Sequence, residues 1–146
     1  MKAKKIIAVI LAVLMVAACF AACSNSSDEG GTTSQASHIY ILTAAEDHGW
    51  TGSVATFAKE KAEEINNAGK YTAEVITASS ASDQITKIED IIAKGEKDIA
   101  VVVQPMDDTV QSAIQSLVDA GIPYVAFDRI IDAVSSSAVA NVKGDN

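Results

Sequence analysis

The sequence predicts an α/β fold, a parallel sheet with helices on both faces, from three of its features. Short apolar runs alternate three times over with stretches whose apolar residues recur at three and four places, the pattern of strand followed by helix. Glycines close those helical stretches at Gly69, Gly95 and Gly121, the last followed two places later by Pro123. The run IAVVV at residues 99–103 is apolar without alternation, which suits a central parallel strand covered on both faces.

Residues 39–45, IYILTAA, are a short apolar run with polar flanks and predict the first buried strand. From Gly52 the spacing changes: Val54, Phe57, Ala58, Ala62 and Ile65 form one inward stripe of a helix ending near Gly69. Ala73 to Ala78, AEVITA, predicts the second strand. Ser82 is the expected cap of the next helix, whose buried face is Ile85, Ile88, Ile91 and Ile92 before Gly95 stops it. After the strand at 99–103, Asp107 or Asp108 is expected to cap a helix with Val110, Ala113, Ile114, Leu117 and Val118 inward. Tyr124 to Phe127 predicts a fourth strand and Ala138 to Val142 a fifth.

Right-handed crossovers put the carboxyl ends of all parallel strands on one edge, and open sheets of this kind bind ligands outside those ends where the strand order reverses. The candidate site loops are therefore 45–53, 78–83, 104–108 and 128–132. The first contains EDHGWTG, residues 46–52, with the only tryptophan of the chain, Trp50. Its position predicts the mouth of a crevice, the alternative being a hydrophobic anchor at a helix entrance.

The amino terminus reads as an address. MKAKKIIAVILAVLMVAACFAAC has three lysines, an apolar run and small residues before cysteine, the organisation of a secretory signal. The run is shorter than the roughly 20 residues of a membrane-crossing helix. The polar stretch SNSSDEGGTTSQAS follows it. The expected organisation is a signal at 1–23, a disordered tether at 24–37 and one domain at 38–146. Cys19 and Cys23 are the only cysteines, both at this junction, so the exported domain has no structural disulfide of its own. Each resembles the lipid-bearing cysteine of a bacterial lipobox. Val16-Ala17-Ala18-Cys19 fits its apolar and small positions better, and Cys23 is better placed at the head of the tether. The plainer alternative is two small residues in an ordinary signal. A lipid anchor would hold a soluble domain at a membrane without inserting it.

Removal of residues 1–23 takes away Lys2, Lys4 and Lys5 and no acid, changing the formal charge from −8 to −11. So acidic a surface, with no basic stripe, argues against nucleic acid as a partner. The sequence predicts no enzyme and no cofactor: GWTGS lacks the glycine spacing and lysine of a phosphate loop, and no Gly-x-Ser-x-Gly elbow occurs. Two histidines and no exported cysteine cluster do not make a metal site. Asp107 and Asp108 read as helix caps rather than a hydrolytic carboxylate pair.

From about His38 to the last residue the chain resembles the sugar-binding type I periplasmic binding proteins of ABC transporters, the ribose- and galactose-binding group. The residues that carry this are DHGWTGSVATFAKEKAEE, then SSASDQITKIEDIIAKGEKDIAVVVQPMDDTVQSAIQSLVDAGIPYVAFDR, then VKGDN. The most specific piece is AGIPYVAFDR. The resemblance implies a bilobed protein that closes on a sugar and hands it to a membrane permease. It implies that Trp50 stacks on the sugar face and that Asp128 and Arg129 hydrogen-bond its hydroxyls; the bland alternative for that pair is a solvated ion pair at a strand end. His48 is either a hydroxyl donor or a plain polar loop residue, and Gln104 ends the third strand where it can face the crevice. Many members carry Asn-Pro where this chain has His48-Gly49, and Thr51 stands where a second aromatic is common, so the particular sugar is left open. Members have two lobes, and this chain reaches Asn146 near the expected first crossing, so residues 38–146 are read as the N-terminal lobe only.

The expected function is thus an extracytoplasmic binding protein that captures a neutral monosaccharide or polyol for an ABC importer, attached to the membrane by a lipid anchor only. A protein that presents a sugar or autoinducer to a membrane receptor is the competing expectation.

Overall fold

The computed structural model of the protein describes residues 36–45 and 49–144. All of them fall in the unit Ser34–Asn146. Cys19, Cys23 and His48 lie outside the described residues, as do the signal and most of the tether.

Among the described residues five strands form one sheet: β1 (His38–Ala44), β2 (Thr72–Ala78), β3 (Ile99–Val103), β4 (Tyr124–Phe127) and β5 (Ala140–Val142). Their order is β2-β1-β3-β4-β5, and every adjacent pair is parallel. Helices α1 (Gly49–Asn67), α2 (Ala81–Ala93), α3 (Gln111–Asp119) and the short α4 (Asp132–Ser135) make the connections, with a 3₁₀ turn at Asp108–Val110 leading into α3. The chain steps from β1 to β2 on one side and then returns past β1 to β3 on the other. The order therefore reverses between β1 and β3, which is where the crevice of such a sheet opens.

Alternation along the strands divides the interior into two layers. Tyr40 and Leu42, Val101 and Val103, and Tyr124 and Ala126 face α2 and α3, where Ile88, Ile91, Ile114 and Leu117 complete the larger core. Ile41 and Ala73 face α1 and pack with its Ala62, making a second, smaller layer. Burying one large aliphatic side chain contributes roughly 1.5–3 kcal/mol, so most of the hydrophobic stabilisation lies on the α2–α3 side.

That imbalance corrects part of the expected helix stripe. Phe57 is 65 % exposed and the buried residues of α1 are Ala55 and Ala62. Nor is β3 covered on both faces: Val101 and Val103 are buried, whereas Val102 is only half-buried. The reason is geometric. Helix α1 packs over β1 and β2, and beside it Val102, Val125, Phe127 and Val142 line an apolar groove of about 550 Å³ to which Phe57 also contributes.

Local signals also needed adjustment. The cap of α2 is Ser80 rather than Ser82: its side chain accepts from the Asp83 N–H at 3.1 Å, while Ser82 already lies inside the first turn. Asp107 caps the 3₁₀ turn through the Thr109 N–H at 2.8 Å, and α3 follows without a side-chain cap. Helix α1 starts at Gly49, three residues before the expected point, so Trp50 belongs to its first turn and not to a loop. Helix α3 ends as its sequence predicts. Gly121 has φ +71°, its N–H bonds Val118 O at 2.9 Å, and the Ile122 N–H reaches back to Leu117 O at 2.9 Å. Such a stop needs the left-handed conformation that glycine adopts without a Cβ penalty.

Candidate functional site

The carboxyl ends of β1, β3 and β4 meet the first turn of α1 at one edge of the sheet. Trp50 is 68 % exposed, so the indole is not a core anchor. It lines a cleft of about 740 Å³ together with Phe127, Asp128, Ile130 and Lys143. Asp128 is also a wall of a smaller adjoining cavity of about 170 Å³, with Thr51, Gln104, Met106 and Arg129. Trp50 and Asp128 therefore share one cleft, and Arg129 opens on its neighbour across Asp128.

The backbone at Asp128 is unusual. Its φ is +66°, the Phe127 carbonyl accepts from the Arg129 N–H at 2.9 Å, and the Asp128 N–H donates to Val142 O at 2.9 Å. A γ-turn with positive φ at a non-glycine residue is uncommon, and aspartate tolerates it better than most. Strain of this kind costs about 1–3 kcal/mol and persists where the surroundings impose it. Here pairing with β5 holds the backbone, and the turn directs residues 128 and 129 to the cleft edge.

The carboxylate of Asp128 accepts from Gln104 Nε2 at 2.8 Å, and Gln104 Oε1 accepts from the Ala44 N–H at 3.3 Å. Gln104 is 4 % exposed, so this side chain is committed to β1 and β4 and presents little to the crevice. Behind it lies Gln84, fully buried on α2, whose Nε2 donates to Gln104 O at 2.9 Å and whose Oε1 accepts from the Met106 N–H at 3.0 Å. Sequence reading assigned Gln84 no role. The one available signal was a glutamine at a core-facing position of an otherwise isoleucine-rich helix face.

Arg129 lies near a second carboxylate. The Asp107 carboxyl is held below its ordinary 3.8 chiefly by the Thr109 hydroxyl and N–H, with a further contribution from the Arg129 charge. Asp128 and Lys143 thus line the cleft with the Trp50 indole, while Arg129, in the adjoining cavity, lies within electrostatic reach of Asp107. Lys143 and Ile130 line the cleft without a sequence signal of their own, Lys143 falling in the VKGDN segment of the family resemblance. No group of three His, Cys, Asp or Glu side chains among the described residues is arranged to hold a metal ion. No helix among them is long and apolar enough to cross a membrane.

A search of the curated proteins returns no match. Among solved structures, the chain is similar to the crystal structure of a galactofuranose binding protein, with a TM-score of 0.61 and 22 % identity. The match covers 74 % of this chain and 36 % of that one, so this chain spans about a third of the protein it resembles. At this identity the likeness establishes the fold. The family model described as a periplasmic binding protein domain matches residues 39–146, from the first strand through the turn at Asp128 to the end of the chain. The protein belongs to the periplasmic binding protein domain family.

Proposed function

We propose that this protein is an extracytoplasmic solute-binding protein that captures a neutral monosaccharide or polyol and delivers it to an ABC importer. The observation that carries the reading is an exposed indole and an aspartate lining one cleft at the carboxyl edge of a parallel sheet. An aromatic face suits the C–H side of a sugar ring, and a carboxylate beside a guanidinium both accepts from and donates to vicinal hydroxyls. The structural neighbour, a galactofuranose binding protein, supports a sugar as the ligand class. In this reading Trp50 is the stacking platform and Asp128 and Arg129 are the polar contacts, with His48 as a further hydroxyl donor.

Residues 38–146 act in this reading as one lobe of a two-lobed trap, lipid-anchored through Cys19 or Cys23. Micromolar binding needs about 8 kcal/mol. One stack at about 0.5–1.5 kcal/mol and a few charged hydrogen bonds at about 1.5–3 kcal/mol each fall short once ordering costs are counted. The deficit is what a second lobe, closing over the ligand, supplies. The permease then recognises the closed form.

Because Trp50 is the only tryptophan, its emission is a direct reporter of the cleft. Titration with ribose, galactose and galactofuranose is expected to shift that emission with a dissociation constant above about 1 mM for this chain, and to reach micromolar values only in a two-lobed protein. Trp50→Ala should abolish sugar binding while leaving the circular dichroism spectrum intact. An exposed indole whose emission ignores every sugar in the panel would refute the assignment. Loss of labelled-sugar uptake in a deletion strain separates delivery to an importer from presentation to a receptor.

A further inference from the structure

The Gln84–Gln104–Asp128 chain of hydrogen bonds links a buried helix face to the rim of the cleft. Both glutamines are buried, at 0 % and 4 % exposure, and both amides are hydrogen-bonded at the oxygen and at the nitrogen: Gln84 clamps Gln104 O and the Met106 N–H, and Gln104 bridges the Ala44 N–H and Asp128 Oδ2. The orientation of the Gln104 amide follows from its partners. Only the amide oxygen can meet the Ala44 N–H, so the NH₂ group is turned to the carboxylate. One oxygen of Asp128, Oδ2, is thereby occupied from within the protein, and Asp128 is itself a wall of the cleft.

We propose that Gln104 is a positioning residue that acts through Asp128: it holds the aspartate side chain in one rotamer, presenting Oδ1 to the bound hydroxyl, without itself touching the ligand. The ligand class rests on the sugar-binding reading above; the rotamer lock does not. Asp128 is exposed, on a left-handed backbone, and a short side chain there would otherwise sample several staggered states. Ordering it in advance removes that cost from ligand binding. Gln84 secures the arrangement by fixing the backbone of residues 104–106, and it is the reason a polar residue occupies the apolar face of α2.

The test has two arms in the isotopically labelled protein. Without ligand, three-bond couplings from the Asp128 carboxyl carbon to its backbone nitrogen and carbonyl carbon report χ1. A single rotamer is expected in the parent and rotamer averaging in Gln104→Met, which keeps the side chain's length and removes both hydrogen bonds. Gln104→Glu is the second variant, since it retains an acceptor for Ala44 and places an oxygen against the carboxylate; it too should release Asp128, even if Gln104→Met fails to fold. Unchanged couplings in a folded variant would overturn the proposal. In the second arm the parent and variants are titrated with galactofuranose, ribose and galactose. Release of Asp128 is expected to weaken binding roughly two- to tenfold while the perturbation at the Trp50 indole is retained. Equal affinity and an equal response at Asp128 in Gln104→Met would also overturn it. A parent that responds to no sugar would defeat the functional reading, and the couplings would still decide whether Gln104 positions Asp128.

Discussion

The Tyr40 hydroxyl donates to Glu96 Oε1 at 2.9 Å while accepting from Lys94 Nζ at 3.0 Å, tying β1 to the connection between α2 and β3. The ammonium also lies 4.6 Å from the centre of the Tyr40 ring, and His38 Nδ1 meets the other Glu96 oxygen at 3.1 Å. This cluster occupies the edge of the sheet opposite the cleft, so its role is to hold the fold. The Glu96 carboxyl is held below its ordinary 4.5, chiefly by the Tyr40 hydrogen bond. Tyr40 is raised above 10.0 by burial, and Lys94 above 10.5 by its bond to Tyr40.

The signs of these shifts set a pH window. A carboxyl with a lowered folded value contributes stability that is complete above its unfolded value and lost as pH falls through the folded one; raised tyrosine and lysine values contribute stability that is complete below their unfolded values and lost as pH rises. The cluster is therefore expected to stabilise fully from about pH 5 to about pH 10 and to weaken on both sides. Glu96→Gln should lower the thermal midpoint at pH 7, with the difference from the parent shrinking below pH 4.5, the ordinary value of this carboxyl. A difference that stays constant with pH would assign the effect to packing instead.

Ser80 caps α2 and Ser82 does not, which gives two neighbouring serines opposite expectations. Ser80→Ala leaves the Asp83 N–H without its acceptor and should cost about 0.5–2 kcal/mol in urea unfolding. Ser82→Ala, inside the first turn and exposed, should stay within about 0.5 kcal/mol of the parent. Equal effects would show that the helix start is elsewhere.

The apolar groove beside α1 should bind hydrophobic dyes. Phe57 and Val142 are 65 % and 55 % exposed, and both line it. Contiguous exposed apolar surface of this kind marks an interaction site or an association liability. Phe57→Ser is expected to reduce anilinonaphthalene-sulfonate fluorescence and self-association in sedimentation velocity, and to change folding stability by no more than about 0.5 kcal/mol. A large loss of stability would mean that Phe57 packs more deeply than its exposure indicates.

Much of this fold is legible residue by residue. The third and fourth strands have the bounds that the sequence predicts, because IAVVV lies between Asp98 and the polar Gln104-Pro105 and YVAF between Pro123 and Asp128. The inward faces of α2 and α3 followed from three-four spacing of Ile88, Ile91, Ile114 and Leu117. Helix α1 was harder to read, since Phe57 obeys the periodicity of a buried stripe while the sheet beneath it ends in an open groove. Periodicity reports which residues share a face of a helix, and says nothing of what that face meets. At the site, the gathering of the parallel strands' carboxyl ends on one edge marks the loops that hold Trp50 and Asp128, whereas a ligand-binding role for Asp128 is what the family resemblance implies.

The sequence by itself determined the order of strands and helices, the stops at Gly69 and Gly121 and the edge on which a ligand would bind, because periodicity, caps and glycine conformations act over a few neighbouring residues. Tertiary structure alone decided that Gln104 is committed to Asp128, 24 residues away, that His38 meets Glu96, 58 residues away, and that α1 covers β1 and β2 but leaves a groove open over β3, β4 and β5 on the same face. Those contacts depend on β3 inserting beside β1 rather than β2, a choice made by the packing of the whole sheet and written in no single segment.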